Sequence, residues 1–216
     1  MEQQENGKVV LPETKPLYEA IKRIFDILLS AFFLLLLSPL FLIVAVAVRI
    51  DSPGKAFYVS ERMTKNGKVF RMFKFRSMEM DAESRLKKLE SQNEIKDGPA
   101  FKMKNDPRVT RVGKILRKTS IDELPQLLNV LLGDMTIVGP RPPLPSEVAR
   151  YTPYQLQRLG VKTGLTCYWQ SSGRNDIGFE EWVELDLKYI RERSLWVDLK
   201  IIFKTFFAVF SMKGAM

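Results

Sequence analysis

The stretch at residues 27–48, ILLSAFFLLLLSPLFLIVAVAV, contains 22 residues and no charged side chain. As a straight helix it would be roughly 33 Å long, which is enough to cross the apolar core of a bilayer. It is too long for a secretory signal peptide, and no small-residue cleavage site follows it. The simplest prediction from this stretch is a membrane-spanning helix.

Two features favour a hairpin that enters the membrane and turns back. Pro39 removes a backbone donor and clashes with the carbonyl of Leu35, so we expect a kink at Ser38-Pro39. Both flanks are basic, and the positive-inside tendency draws both toward the cytoplasm. Each arm would then have about 11 residues and reach roughly half of the bilayer core. Because proline kinks also occur in spanning helices, the residues themselves leave both topologies open. The basic flanking residues are Lys22, Arg23, Arg49, Lys55, Arg62 and Lys65, against Asp51 and Glu61.

The composition limits the chemistry that the chain can perform. Its 216 residues suggest one domain or two small ones, and 34 basic against 25 acidic residues give a net charge of +9. This excess suits an anionic partner such as nucleic acid, a membrane surface or a phosphorylated substrate. The chain has no histidine and one cysteine, Cys167, so it has neither an intrachain disulfide nor a His/Cys zinc site. A hard cation such as Mg²⁺, held by carboxylates, remains open.

The remaining pattern predicts a mixed α+β domain that is mainly helical. Segments 56–64 and 69–76 are rich in β-formers and are separated by Asn66-Gly67, which is a strong signal for a β-hairpin. Helices are expected at 79–96, at about 121–132, at 146–159 and at 179–193. We expect residues 1–16 to form a loose tail, 17–50 the membrane segment and 51–216 a catalytic domain.

A last helix is predicted from Leu195 onward. Its apolar residues recur at helical spacing, with Lys200 and Lys204 on another face, so the helix is amphipathic. It either packs on the core or lies in the membrane interface. The apolar positions are Leu199, Ile202, Phe203, Phe206 and Phe210.

The stretch 120–126, SIDELPQ, has two interpretations. In the first, Ser120 or Asp122 caps a helix, and Ser120 with Glu123 forms a capping box. In the second, the helix start and nearby cations bind phosphate, and the Asp122 carboxylate attacks phosphorus as a covalent nucleophile. Glu123 points elsewhere, because consecutive helical residues diverge by about 100°, and it would hold Mg²⁺ on a diphosphate. Local residues favour plain capping.

Four long motifs resemble the bacterial monotopic phosphoglycosyl transferases, also called the bacterial sugar transferase family. They are KRIFDILLS followed by SP at 38–39, KVFRMFKFRSM at 68–78, DPRVTRVGKILRKTSIDELPQLLNVLLGDMTIVGPRP at 106–142, and VKTGLTCYWQSSGRND at 161–176. The resemblance extends from about Lys22 to Phe207. It implies transfer of a phospho-sugar from a nucleoside diphosphate sugar, usually a UDP-sugar, to undecaprenyl phosphate, with release of UMP.

The resemblance also implies roles for individual residues. Asp122 corresponds to a nucleophile that forms a phospho-aspartate, and Glu123 is tied to Mg²⁺, with Asp122 as a further ligand. Lys74, Arg117 and Arg141 match polar positions that we assign to phosphate or nucleotide binding. Asp198 is expected to support the metal or the acidic pair. The break at Ser38 and Pro39 implies a re-entrant helix on the cytoplasmic face of the bacterial inner membrane.

Several of these residues also have a simpler structural interpretation. Lys74 would be a solvent-facing strand residue, Arg141 would pin a loop, and Asp198 would cap the last helix. The basic segment 102–118 would contact anionic headgroups or form a solvated face. A membrane-anchored adaptor and a nucleic-acid binder are the competing functions; the apolar stretch argues against nucleic acid as a partner. The sequence specifies neither the sugar nor the oligomeric state, and a homodimer is compatible with it.

Overall fold

The computed structural model describes residues 13–210, other than 90, 92, 95–97, 100, 102, 104 and 172–176. This part of the chain is mainly helical with two small sheets, which confirms the mixed α+β class. The predicted tail at 1–16 lies outside the described residues up to residue 12. The helices are Pro16–Leu36 (α1), Ser38–Asp51 (α2), Ala82–Leu89 (α3), Arg111–Thr119 (α4), Gln126–Leu132 (α5), Pro145–Val148 (α6), Pro153–Leu156 (α7), Tyr168–Ser171 (α8), Phe179–Glu192 (α9) and Leu195–Phe210 (α10). The strands are Phe57–Met63 (β1), Val69–Phe75 (β2), Thr136–Val138 (β3) and Gly164–Thr166 (β4).

The apolar stretch folds as two helices, which confirms the predicted break. Helices α1 and α2 meet at Leu37 and are bent by 61°. Pro39 occupies the first turn of α2, where its missing N–H costs nothing, and Ser38 Oγ donates to the Leu35 carbonyl at 2.8 Å. Among the described residues, each helix alone is too short or too polar to span a bilayer, whereas the bent pair together has sufficient length and apolar character.

The first turns of α1 are tied to the domain that follows. The Arg23 guanidinium donates to the carbonyls of Val130 at 2.6 Å and Leu131 at 2.8 Å, at the negative end of α5. The buried Asp26 carboxylate accepts hydrogen bonds from Thr136 Oγ1 at 2.6 Å and from the Ile137 N–H at 3.0 Å. Helix α1 is therefore held against α5 and β3 through Arg23 and Asp26.

The predicted β-hairpin is present. Strands β1 and β2 pair antiparallel, with Phe57 opposite Phe75 and Met63 opposite Val69. Asn66 and Gly67 both have positive φ, at 60° and 73°, as this tight turn requires. On one face of β2, Phe70 and Met72 pack against residues of α5 and the chain just after it. The same strand carries Lys74, which contacts Glu123 in the acidic site described below.

Several helix boundaries differ from the sequence prediction. The helix expected at 121–132 begins at Gln126, after a 3₁₀ turn at Ile121–Glu123, because Pro125 cannot donate to the preceding turn. The helix expected at 146–159 divides into α6, α7 and a 3₁₀ turn, since Pro153 starts a new helix. Helix α3 begins at Ala82, later than predicted. Helix α9 agrees with the predicted 179–193.

A second sheet was not predicted. Strands β3 and β4 pair in parallel, with Thr136 opposite Gly164 and Val138 opposite Thr166. Each strand has three residues, which is too short for an alternating pattern to be recognised. Val138 packs with Tyr189 of α9 and Ile201 of α10, so this sheet joins the last two helices to the centre of the domain.

Helix α10 is amphipathic, but most of its aromatic face does not pack on the core. Ile201 is fully buried, whereas Trp196, Leu199, Phe203, Phe206 and Phe207 are exposed. Simple core packing therefore does not explain the apolar residues of this helix. The side chain of Phe210 is outside the described part of the structure.

Candidate active site

The Asp122-Glu123 pair lies in the turn between α4 and α5. Ser120 ends α4 with a positive φ of 58°, a left-handed conformation that is costly for a residue with a side chain. Asp122 is buried, and the 3₁₀ turn presents the two carboxylates before α5 begins. The Ser120 side chain makes no capping hydrogen bond to this turn, so the predicted capping box is wrong. Glu123 instead reaches residues that are distant in sequence.

Helix α4 brings Arg117 to the acidic pair. Thr110 caps this helix by accepting from the Gly113 N–H at 3.0 Å. A Cβ at Gly113 would lie 2.1 Å from the Ser77 carbonyl oxygen, so glycine is needed for this close approach. Arg117 Nε then donates to Ser77 Oγ at 3.0 Å. Burial lowers the pKa of the Arg117 guanidinium, and the nearby charge of Asp122 opposes this effect.

Lys74 forms an ion pair with the second carboxylate. Its ammonium lies 2.8 Å from Glu123 Oε1, and both side chains are only 16% exposed. Strand alternation places Lys74 on the same face as Phe70 and Met72. The interpretation of Lys74 as a solvent-facing residue is therefore wrong. Burial lowers the pKa of Lys74, the Glu123 carboxylate opposes that shift, and the charge of Arg141 adds to it.

Two arginines, Arg62 and Arg141, line the same cavity as the Lys74–Glu123 ion pair. Arg141 places its guanidinium 5.8 Å from the ring centre of Trp169 and 5.9 Å from that of Trp182, in cation–π range. Arg62 donates to the Pro142 carbonyl at 3.2 Å. Burial, followed by repulsion from Arg141, lowers the pKa of Arg62 to about 10. The positive charge of Arg141 thus acts on both Lys74 and Arg62, and all three side chains line one cavity.

A small cavity joins these groups. It brings together Lys74, Glu123 and Arg141, three of the residues that the resemblance assigned to the site, and adds residues that the sequence did not indicate. Asp122 and Arg117 are not among its lining residues. Three basic side chains and one carboxylate surround it, so the local charge is positive and attracts an anion. The lining residues are Arg62, Met72, Lys74, Glu123, Gln126, Arg141, Pro142, Gly164, Leu165 and Gln170.

Gln170 and Asn129 are site residues that sequence reasoning missed. Gln170 Nε2 lies 3.4 Å from Glu123 Oε2, opposite the oxygen that accepts from Lys74. Asn129 is fully buried in α5; it donates to the Arg71 carbonyl at 2.6 Å and accepts from the Phe73 N–H at 3.0 Å. Asn129 therefore holds β2 against α5 and fixes the position of Lys74. A polar residue in an otherwise apolar helix face was the available signal.

Asp198 lies in a different cluster. Its Oδ2 accepts from Lys22 Nζ at 2.7 Å and from Tyr18 at 2.9 Å, and its Oδ1 accepts from Tyr189 at 2.9 Å. It does not cap α10 either, since Ser194 Oγ accepts from the Val197 N–H at that end. The Asp198 cluster joins α1, α9 and α10, and no contact in the described structure links it to Asp122 or Glu123.

The acidic pair offers oxygen ligands for a hard cation. Among the described residues, no three carboxylate, thiol or imidazole groups converge as a complete metal site. Lys74 donates to one oxygen of Glu123 at 2.8 Å, and Gln170 Nε2 lies 3.4 Å from the other. Mg²⁺ in phosphate-transfer sites is commonly held by one or two carboxylates together with substrate phosphates. Asp122 and Glu123 supply carboxylate oxygens, which are the type of ligand that Mg²⁺ takes in such sites.

Cys167 and part of the basic segment 102–118 are buried within the domain. Burial raises the pKa of the Cys167 thiol to about 12, which leaves it protonated and unreactive. In the basic segment, Arg108 is buried and bonds Asp106 through two nitrogens. This segment is thus not simply a solvated face. Lys102 and Lys104 lie outside the described residues.

Comparison with known proteins identifies the family to which the chain belongs. The chain belongs to the bacterial sugar transferase family, whose model matches residues 17–212. It is 44% identical over 201 residues to the undecaprenyl-phosphate galactose phosphotransferase of Salmonella typhimurium, covering 90% of this chain and 41% of that protein. It is 41% identical over 204 residues to the exopolysaccharide production protein ExoY of Rhizobium meliloti, covering 93% of this chain and 90% of ExoY.

A third relative is named for the reaction it performs. The chain is 41% identical over 204 residues to the UDP-glucose:undecaprenyl-phosphate glucose-1-phosphate transferase of Escherichia coli, covering 90% of this chain and 41% of that protein. The chain thus spans less than half the length of several relatives it matches, and nearly the full length of ExoY.

Proposed function

We propose that this protein transfers a sugar phosphate from a nucleoside diphosphate sugar, in the first instance a UDP-sugar, to undecaprenyl phosphate. The observation that carries the proposal is the set of basic side chains around the Asp122-Glu123 pair. Lys74 is paired with Glu123 at 2.8 Å, and Arg141 lines the same cavity as Glu123. Arg117 lies near enough to Asp122 for that carboxylate to act on its pKa. Such an arrangement attracts a diphosphate and keeps a nucleophile beside it. The names of the relatives support the lipid acceptor and the class of donor.

In the first step, an Asp122 oxygen attacks the phosphorus that carries the sugar. A bond forms between that oxygen and phosphorus, and the bond from phosphorus to the bridging oxygen of the diphosphate breaks. The electron pair leaves with UMP, and Asp122 becomes an acyl phosphate that bears the sugar. Arg117 is placed to stabilise the charge on the transferred phosphoryl group, because Asp122 is the carboxylate that acts most strongly on it.

In the second step, a phosphate oxygen of the polyprenyl phosphate attacks the same phosphorus. Its bond to Asp122 breaks, the carboxylate is regenerated, and polyprenyl-diphosphate-sugar is formed. No proton acceptor is needed, because both nucleophiles are anionic at neutral pH. This accounts for a site that lacks histidine and in which the cysteine is buried.

Lys74 and Gln170 orient the second carboxylate. Their contacts to the two oxygens of Glu123 fix that carboxylate where it lines the cavity. Glu123, with Asp122, would hold a Mg²⁺ ion, which when bound would neutralise part of the diphosphate charge. Arg141 and Arg62 provide further positive charge for the nucleotide phosphates.

The bent helix pair provides the membrane attachment in this proposal. Basic residues flank both ends, and a re-entrant α1–α2 keeps both ends on the cytoplasmic face of the inner membrane. The exposed aromatic face of α10 lies in the interface and contacts lipid headgroups. A soluble sugar nucleotide and a lipid phosphate can then meet at headgroup depth.

The decisive experiment measures UMP release from a panel of UDP-sugars. It uses the detergent-solubilised protein with undecaprenyl phosphate and Mg²⁺. Release should require the lipid and the metal, and Asp122→Asn should lower it by at least about 10³-fold. Asp81→Asn, an exposed site at the start of α3, is the matched control and should retain full activity. Undiminished turnover in Asp122→Asn would rule out the covalent mechanism. Binding to nucleic acid without turnover of any donor would favour the competing binding function.

A further inference from the structure

A second cavity in the described structure, of larger volume than the one beside Glu123, is separate from the acidic site. It measures about 210 Å³ and lies between the start of α1, strand β3 and the chain at residues 161–162. It shares no lining residue with the cavity beside Glu123. Neither the mechanism above nor any sequence motif assigns it a ligand. Its charged lining residues are Lys22, Arg23, Lys65, Lys162 and Arg193, against Glu19 and Asp26.

Only part of this positive charge is compensated within the cavity. Lys22 is paired with Asp198 at 2.7 Å, and Arg193 with Glu19 at 3.6 Å. In the described part of the chain, Lys65 and Lys162 have no carboxylate within 4.0 Å. The cavity therefore presents these two lysines and Arg23 together.

The charged groups near Lys162 show the same excess of positive charge. Partial desolvation lowers the pKa of Lys162, although its side chain remains exposed, and the positive charge of Arg23 contributes more than the attraction of either Asp26 or Asp134. The oxygens of Asp26 already accept hydrogen bonds from Thr136 and Ile137, and Asp134 lies 3.7 Å from Lys68. An anion between Lys162 and Arg23 would relieve the repulsion between them.

The position of the cavity indicates the chemistry of the anion. Arg23 is followed directly by Ile24, Phe25 and Leu28, whose exposed side chains begin the apolar surface of α1. In the membrane attachment proposed above, on which this step rests, a site at this level faces the boundary between water and lipid. Phosphate is the anionic group found there, and lysine ammonium groups bind it as point charges.

We propose that this cavity is a second phosphate site, held by Arg23, Lys65 and Lys162. Its ligand is the phosphate of an anionic lipid headgroup or free phosphate, which share this chemistry. Occupation of the site would fix the start of α1 to the β1–β2 turn through Lys65. The proposal does not depend on transferase activity, so its failure would leave the proposed function unchanged.

The test measures how fast individual lysines of the detergent-solubilised protein are acetylated, by mass spectrometry. The probes are inorganic phosphate and dihexanoyl phosphatidylglycerol, at an ionic strength held constant with chloride. At about twice Kd, acetylation of Lys65 and Lys162 should slow about threefold, because the free fraction of the site falls by that factor. Lys88, an exposed residue of α3, should react at an unchanged rate. Because the readout is local, phosphate bound beside Glu123 does not produce it.

The two sources give different results. Protection by phosphatidylglycerol at lower concentration than by phosphate identifies the headgroup, and the reverse identifies free phosphate. Lys65→Ala should weaken the protection of Lys162, whereas Lys68→Ala, which removes the same charge from the same turn, should not. Unprotected lysines with both probes, or equal weakening by the two alanine variants, would overturn the proposal.

Discussion

The ammonium of Lys74 lies 2.8 Å from Glu123 Oε1, although the two residues are 49 positions apart in the chain. The pair joins β2 to the turn before α5 and is largely buried. It therefore serves both the stability of the fold and the orientation of the acidic site, and these two effects can be separated by measurement.

Removing one partner of this pair should lower the free energy of unfolding more than replacing both partners does. Glu123→Gln leaves a buried ammonium without its counter-charge, and we expect a loss of about 3 kcal/mol in the free energy of unfolding. The double variant Lys74→Met/Glu123→Gln should recover at least about 1.5 kcal/mol of the summed single losses, while turnover stays low. Denaturant unfolding in detergent, with UMP release alongside, measures both quantities.

An exposed ion pair provides the control. Lys68 and Asp134 are 3.7 Å apart, and Lys68 is 70% exposed, so the same cycle there should couple by less than about 1 kcal/mol. Equal coupling in the two cycles, or strictly additive losses at Lys74 and Glu123, would contradict the importance of the buried pair.

Gln170 should act on catalysis through Glu123. Gln170→Leu removes the donor to Glu123 Oε2, and a bond to a charged group of this length should be worth about tenfold in kcat/KM. Gln170→Glu places a second negative charge beside Glu123 and should cost about 10²-fold. Steady-state kinetics at several Mg²⁺ concentrations check this, because displacement of Glu123 should also raise the Mg²⁺ requirement.

The control for Gln170 is Gln155→Leu, which changes only the cap of the short helix α7. Its kinetic constants should match those of the unmodified protein. If Gln170→Leu keeps its kcat/KM and its Mg²⁺ requirement, then the contact to Glu123 has no part in turnover.

Asp26 should be important for stability and not for chemistry. Asp26→Asn weakens the charge-assisted bonds to Thr136 Oγ1 and the Ile137 N–H, and we expect a loss of about 2 kcal/mol in the free energy of unfolding. Asp81→Asn, at a carboxylate that is 63% exposed, should change it by less than about 0.5 kcal/mol. Equal unfolding midpoints for the two variants would show that α1 is held by other contacts.

The break between α1 and α2 should determine how the chain sits in the membrane. In a Cys167→Ser background, Glu13→Cys and Lys55→Cys mark the two flanks of the pair. With a re-entrant pair, an impermeant maleimide added outside intact spheroplasts should label neither cysteine, and lysis should expose both. Adding Ser38→Ala and Pro39→Ala should favour a straight helix and expose one flank to the outside. If labelling is the same with and without these substitutions, then the kink does not set the topology.

Much of the local structure was readable from the sequence. The break at Ser38-Pro39, the hairpin turn at Asn66-Gly67 and helix α9 follow from proline sterics, from glycine at positive φ and from apolar periodicity. Strands β3 and β4 were missed because three residues give no period. The onset of α5 was misplaced because the capping signal at Ser120 competed with the proline at 125.

The sequence by itself determined the mainly helical class and the break in the apolar stretch, because both depend on the conformational preferences of adjacent residues. It left the role of the acidic pair Asp122-Glu123 open, since the local residues favoured a helix cap. Only the tertiary structure decided which cations face that pair. It buried Lys74 beside Glu123, brought Gln170 from 47 positions away, and placed Asp198 in another cluster with α1. These contacts arise when β2, α5 and α8 pack together, and long-range packing has no signature in any one stretch of the chain.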